Sequence, residues 1–214
     1  YYQNVVHEMG NQALACWAML AAGEPYQSPK LHRRINWVLS GDQPYTYDHS
    51  MRAQMLAKLP TQQWRPWIRR ETMWLTGALT DQGNFAEQWT GDLSIGPGDN
   101  ANGQYGALGL WACARGGFPA KVKLWRAIDE YWRSSQEPTP GDKAAGWAVE
   151  SLEPDQDQSG TRGQRTHGSS NDRLRFYRRV SGPMTAGGVA TLALTERYLR
   201  GAKMTKPGNH VSRE

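Results

Sequence analysis

Cysteine and phenylalanine are scarce in this chain of 214 residues, at two and three copies, and no apolar run is long enough to cross a membrane. Two cysteines exclude a disulfide framework and a four-cysteine zinc site. The absence of a run of about 18 apolar residues excludes a transmembrane helix. His7, His32, His49, His167 and His210 show no metal-ligand spacing, so neither a metal nor another cofactor is expected. A Gly-x-Ser-x-Gly elbow, a phosphate-binding loop and a dinucleotide fingerprint are all missing. The chain opens on Tyr1-Tyr2 with no initiator Met and no signal-peptide pattern. That reads as a fragment or a processed product, and it names no compartment.

What the chain does hold is tryptophan. Ten of them accompany a mean hydropathy of −0.73, a combination that points to packed segments between solvated ones. The net charge of +5 permits an anionic partner without naming one. Much of the basic excess lies between Arg162 and Arg179, in a polar stretch that reads as a solvated loop, not as a nucleic-acid patch.

The sequence repeats itself. A shift of 94 lays Ala13-Leu14-Ala15-Cys16-Trp17-Ala18 on Ala107-Leu108-Gly109-Leu110-Trp111-Ala112, Gly23 on Gly117 and Pro25 on Pro119. After a one-residue slip, Lys30, Leu31, Arg33, Ile35 and Gln43 fall on Lys123, Leu124, Arg126, Ile128 and Gln136, making eleven identities in order. Residues 13–22 are apolar on every side of a helix and are expected to be buried all round, as are 107–114 and, less purely, 189–194. The equivalent Trp17 and Trp111 are expected core anchors. Leu31, Ile35, Val38 and Leu39 line one face of the next helix, and Leu124, Ile128, Tyr131 and Trp132 repeat that pattern. Gly and Pro between the two helices stop the first one. A second pair occupies 48–59 and 64–79, and a last inner helix is expected over 184–199. The expected fold is therefore all-α, made of antiparallel helical hairpins, with no strand. One domain over 1–199 would carry a disordered insertion at 153–181, a loop at 91–98, and a polar tail or linker at 200–214.

Outer segments that end in an aromatic pair and Gln, as in Tyr131-Trp132-Arg-Ser-Ser-Gln136, followed by Gly146-Trp147, resemble the prenyltransferase and squalene-cyclase repeat. Asp99-Asn-Ala-Asn-Gly-Gln-Tyr-Gly-Ala-Leu-Gly-Leu-Trp111 and Gly182-Pro-Met-Thr-Ala-Gly-Gly188 resemble the uncharacterised bacterial branch of that superfamily. The resemblance covers about residues 8–60 and 99–199, and it implies an α/α-toroid. Three and a half hairpins would make a partial, open arc. The Gln136 to Gly146 gap is longer than the usual motif, and Gln43 has no Gly-Trp after it.

The chemistry of that family is not carried over. Alkene protonation in its cyclases uses Asp-x-Asp-Asp, and the nearest approach here is Glu153-Pro-Asp-Gln-Asp157 in a polar loop. Its prenyltransferases hold zinc with Asp, Cys and His, where this chain offers Asn102. Cys16 and Cys113 lie in apolar helical runs and read as small hydrophobes. The Cys-Gly-Glu-Gln of thioester-bearing toroids is absent.

There remains the end where inner helices begin. It carries Glu8, Asn11, Gln12, Tyr45, Tyr47, Asp48, His49, Asp99, Asn100, Asn102, Gln104, Tyr105 and Thr185. Asp48, Asp99 or Asn100, and Thr185 are expected helix caps. Tyr47, Asp48, His49, Asp99, Asn100, Asn102, Gln104 and Tyr105 form the candidate mouth for a ligand or partner, better suited to an anion or sugar than to a hydrocarbon. No catalytic residue is assigned. The leading expectation is a non-catalytic binding or scaffold module of a longer bacterial protein, partnered by its other domains. The alternatives are a squalene-hopene-type cyclase-like enzyme whose acid lies outside this chain, and an α/α-barrel carbohydrate-active enzyme using Asp48 or Asp99.

Overall fold

In the computed structural model, residues 7–91, 94–95, 98–138, 145–149 and 179–204 are described. Among them the chain is all-α, with helices α1 (Glu8–Ala21), α2 (Pro29–Ser40), α3 (Thr46–Leu56), α4 (Thr61–Ala78), α5 (Asn100–Arg115), α6 (Val122–Ser134) and α7 (Gly182–Met204). The odd-numbered helices pack in chain order, α1 on α3, α3 on α5 and α5 on α7. The even-numbered ones lie against them, α2 on α1, α4 on both α3 and α5, and α6 on α7. Tyr47 meets Tyr105 and Ser50 meets Gly109, so α3 and α5 run parallel.

The repeat survives in backbone detail. After α1, Gly23 turns left-handed at φ 93° and the Glu24 amide donates to the Met19 carbonyl. After α5, Gly117 does the same at φ 86° and the Phe118 amide donates to Cys113. Every partner is offset by 94, and the αL residue is glycine in both because a Cβ is disfavoured there. Leu31, Ile35, Val38 and Leu39 are all buried in α2. In α6, Ile128, Tyr131 and Trp132 are buried with Trp125, while Leu124 is half-exposed.

Burial all round does not hold for α1. Ala13 and Cys16 are buried there, but Leu14, Ala15, Ala18 and Met19 are exposed. α7 departs likewise, with Val189 exposed. The cause is position: α1 and α7 end the row, so each lacks a neighbour on one side. Trp17 and Trp111 are half-buried, the latter under Arg197. The largest fully buried side chains are instead Trp125, Trp132 and Trp147. Trp147 Nε1 donates to the Trp132 carbonyl at 2.9 Å, and Gly188 of α7 faces the Trp147 ring so closely that a Cβ would lie 2.4 Å from it. Trp147 thereby ties α6 to α7.

Other boundaries shift. α3 and α4 begin at Thr46 and Thr61, earlier than the apolar pattern places them, and α7 runs to Met204, five residues into the expected tail. Residues 205–214 and almost all of the expected insertion at 153–181, with its basic stretch, lie outside the described residues. Four two-residue strands interrupt the helical pattern: β1 (Gln88–Trp89) pairs with β2 (Ser94–Ile95), and β3 (Glu137–Pro138) with β4 (Ala145–Gly146), all antiparallel. The stretch 91–98 is thus partly a strand. The connection from α4 to α5 also fastens the start of α3, since the Thr46 amide donates to Glu87 and the Trp89 amide to Pro44. Phe85 from this connection fills the space beside Gly106, where a Cβ would lie 2.3 Å from its ring.

Trp147→Ala is expected to cost about 3–5 kcal/mol in urea unfolding, and more than Trp111→Ala; the reverse order would refute the assignment of Trp147 as the tie between α6 and α7.

Candidate functional site

The N-terminal ends of α1, α3 and α5 converge. Tyr45 is extended, and Thr46 opens α3 by donating its hydroxyl to the Ala86 carbonyl at 2.6 Å. Asp48 therefore lies inside the first turn and not at the cap, and its side chain crosses to another helix. Its Oδ1 accepts from the Gly10 amide of α1 at 3.0 Å. Only glycine permits that approach, because a Cβ on residue 10 would lie 2.3 Å from Oδ1 and 2.6 Å from the Tyr47 ring. His7 Nδ1 stands 3.5 Å from the same oxygen. His7 precedes α1 at φ 71°, the one non-glycine residue with positive φ among those described, in a region that is costly for most side chains. Its ring meets Tyr45 and Tyr47 edge-on at 4.6 and 5.3 Å, and Tyr47 meets Tyr105 at 4.9 Å. The Tyr47 hydroxyl donates to Asn11 Oδ1 at 3.1 Å.

Asp48 is 1% exposed, and its Oδ2 finds no hydrogen-bond donor among the described residues. Burial pushes its carboxyl above the ordinary aspartate value, against the opposing pull of His7, the Gly10 amide, His49 and Arg52. Burial raises the Tyr47 phenol too, helped by Tyr105 and Asp48. The result is a buried acceptor without a donor, set among three half-exposed tyrosines.

His49 points away from this cluster, which removes it from the expected mouth. It is fully buried, with Nδ1 2.6 Å from Glu71 Oε2 and Nε2 2.8 Å from the Gln43 carbonyl oxygen, stacked on Trp74 at 3.6 Å. Arg52 completes the group, donating from Nη2 to Glu71 Oε1 at 2.8 Å and from Nη1 to the Gly41 carbonyl at 2.7 Å.

The α5 residues scatter. Asp99 caps its own helix, accepting from the Asn102 amide at 2.6 Å and the Asn102 side-chain amide at 3.0 Å. Asn100 is buried and donates to the Ala148 carbonyl. Gln104 lies on Gly187 of α7, and Thr185 accepts from the Trp147 amide, leaving Ser181 to cap α7. Of the eight expected mouth residues, Tyr47, Asp48 and Tyr105 come together, while His49, Asp99, Asn100, Asn102 and Gln104 do not. Glu8 is exposed and Gln12 lines a groove between α1 and α2. Among the described residues no three His, Cys, Asp or Glu converge as metal ligands. Cys113 is buried and its thiol is pushed up to about 12; burial raises Cys16 as well.

His7, Arg52 and Glu71 are the participants that the sequence pattern does not mark. His49 and Arg52 are spaced i, i+3 on α3, which places them on one helix face. Nothing local connects them to Glu71, 22 residues past His49.

Glu71→Ala is expected to cost about 3–5 kcal/mol, since it leaves Arg52 and His49 buried without their anion; Asp99→Ala, at an N-cap, is expected to cost about 1 kcal/mol. Chemical denaturation of both variants checks the order. For Asp48, the Gly10 amide resonance is expected to titrate with a midpoint above 3.8. A carboxyl raised on folding contributes stability below its unfolded value that is lost as pH rises through its folded value. The wild type should therefore lose stability relative to Asp48→Asn as pH climbs from that point, and a gain would refute the assignment. No protein-family model, curated protein or solved structure matches the chain.

Proposed function

We propose that this chain is a non-catalytic binding module, an open arc of toroid-like helical hairpins, whose ligand-facing end is the cluster of His7, Asn11, Tyr45, Tyr47, Asp48 and Tyr105. The packing order supports the arc: odd-numbered helices succeed one another in a row and even-numbered ones lie against them. The observation that carries the site is Asp48 Oδ2, a buried oxygen with no donor among the described residues. A buried unsatisfied acceptor costs about 1–3 kcal/mol, and a ligand hydroxyl or amide N–H that displaces the side chains covering it supplies what it lacks. The carboxylate also selects against anions, and its setting among tyrosines favours a hydroxyl-rich molecule such as a sugar. Tyrosine rings beside it offer faces and edges to the C–H surface of a sugar.

Catalysis is less well supported by the same geometry. A glycoside hydrolase needs two carboxyl groups across one bond, and both oxygens of Asp99 are engaged by Asn102. Alkene protonation needs an unusually strong acid, whereas burial makes the Asp48 carboxyl a weaker one.

The test is an amide-resolved NMR titration with maltotriose and chitotriose as neutral probes and glutarate as the anionic one. Saturable shifts at Gly10 and Asn11 with a saccharide are expected, absent with glutarate and lost in Asp48→Ala. Tighter binding of glutarate, silence with both saccharides, or their hydrolysis would each overturn the reading.

A further inference from the structure

The internal repeat identifies what the exposed side of α1 is shaped to receive. On α1, Leu14 is 41% and Met19 44% exposed, with Ala15 and Ala18 exposed beside them. This side borders a groove of about 460 Å³ against α2, which Ala15, Cys16, Met19, Leu31, Arg34 and Trp37 help to line. The shift of 94 maps Ala15, Ala18 and Met19 onto Gly109, Ala112 and Cys113 of α5. All three of those are buried. A Cβ on Gly109 would lie 2.7 Å from Leu75 of α4 and 3.0 Å from Ser50 of α3. The equivalent face, one repeat later, is therefore covered by the preceding hairpin.

The far end of the row is open in a complementary way. Ala186, Val189, Ala190 and Ala193 of α7 are exposed at spacings of i, i+3, i+4 and i+7, a single helical stripe. α7 is the second inner helix of its repeat, as α3 is of the first. α3 is flanked by α1 and α5, whereas α7 has α5 on one side and a bare stripe on the other. Apolar side chains on two opposite ends of a repeat array are what remains when a continuing stack is interrupted.

We propose that the exposed face of α1 docks on the Ala186–Val189–Ala190–Ala193 stripe of α7 in a second copy of this chain. The junction reproduces the parallel α3–α5 contact within one copy. In that arrangement Glu196, one turn beyond Ala193 and paired within its own helix with Arg200, comes level with the end of α1 and with the Lys30, Arg33 and Arg34 rim of α2, to which it can also offer its charge. The contact is heterologous, since different faces meet, so copies add head to tail until a ring closes or a filament grows. This inference rests on the packing order and not on the ligand cluster, so the two fail separately.

Sedimentation velocity of the chain across a concentration series provides the test, with the pair Leu14→Glu/Met19→Glu on one face and Val189→Glu on the other. The altered side chains are exposed, and unchanged circular dichroism and melting temperature confirm the fold of each variant. The wild type is expected to associate, and each variant to lose affinity by roughly tenfold or more. Mixing the two variants is expected to restore association but to stop it at a 1:1 dimer, because each still has one intact face. Met19→Cys and Ala193→Cys on separate copies, which the parallel register brings level, should form an intermolecular disulfide, an independent reading if a glutamate variant fails to fold. A wild type that stays monomeric throughout would leave the α1 face to further hairpins of a longer chain and overturns the proposal. Association that survives Val189→Glu and is lost only with the α1 variant would mean that α1 pairs with itself, and it also overturns the proposal.

Discussion

Glu71 lies in the middle of α4 with no exposed surface, and both its oxygens are engaged, one by His49 and the other by Arg52 of α3. The two α3 side chains then reach on to the carbonyls of Gln43 and Gly41, which pins the turn leading into α3. Taking three ionisable groups out of water is expensive, and the arrangement stands only because nearly every donor and acceptor is matched. Its consequence reaches beyond its own bonds. Consecutive residues on a helix differ by about 100°, so holding His49 against α4 turns Asp48 towards α1. The rotation of α3 is set from the buried side, and the Asp48 and tyrosine cluster on the opposite side inherits it.

That dependence explains which parts could be read from the chain. The hairpins, their glycine stops and the apolar faces of α2 and α6 depend on residues three or four apart, and local pattern suffices for them. The burial of α1 depends on whether a neighbour stands on each side, and the equivalent stretch in α5 is covered where α1 is bare. Asp48 resembles a cap because it stands near the start of an apolar segment; two residues of helix before it, anchored through Thr46 to Ala86, change its task. Asp99, with no such extension, caps as its sequence suggests. Glu71 meets His49 through tertiary packing alone.

The two halves of the repeat have settled their centres differently. In the first, α3 buries Thr46, Asp48, His49, Ser50 and Arg52, a polar helix that packs only because its partners are specific. In the second, the largest buried side chains are Trp125, Trp132 and Trp147, and α7 answers Trp147 with Gly188. Aromatic packing tolerates rearrangement with graded loss, whereas a buried ion cluster loses its balance when one member goes. The first half is therefore where geometry is most tightly defined.

The proposed binding site gains from that division. Asp48 holds a single accepted hydrogen bond from α1, while its neighbours on α3 are locked into the ion cluster. The carboxyl is thus held in place with one oxygen left over, and preorganisation of this kind reduces the ordering cost that a ligand would otherwise meet. His7 adds to the same effect from the other side, since its left-handed backbone is maintained by the rings of Tyr45 and Tyr47 against it. An unmatched acceptor at such a place would be a liability if its only task were to join α1 to α3, for an asparagine could accept the Gly10 amide equally well. The carboxylate makes physical sense when a donor arrives from outside the chain.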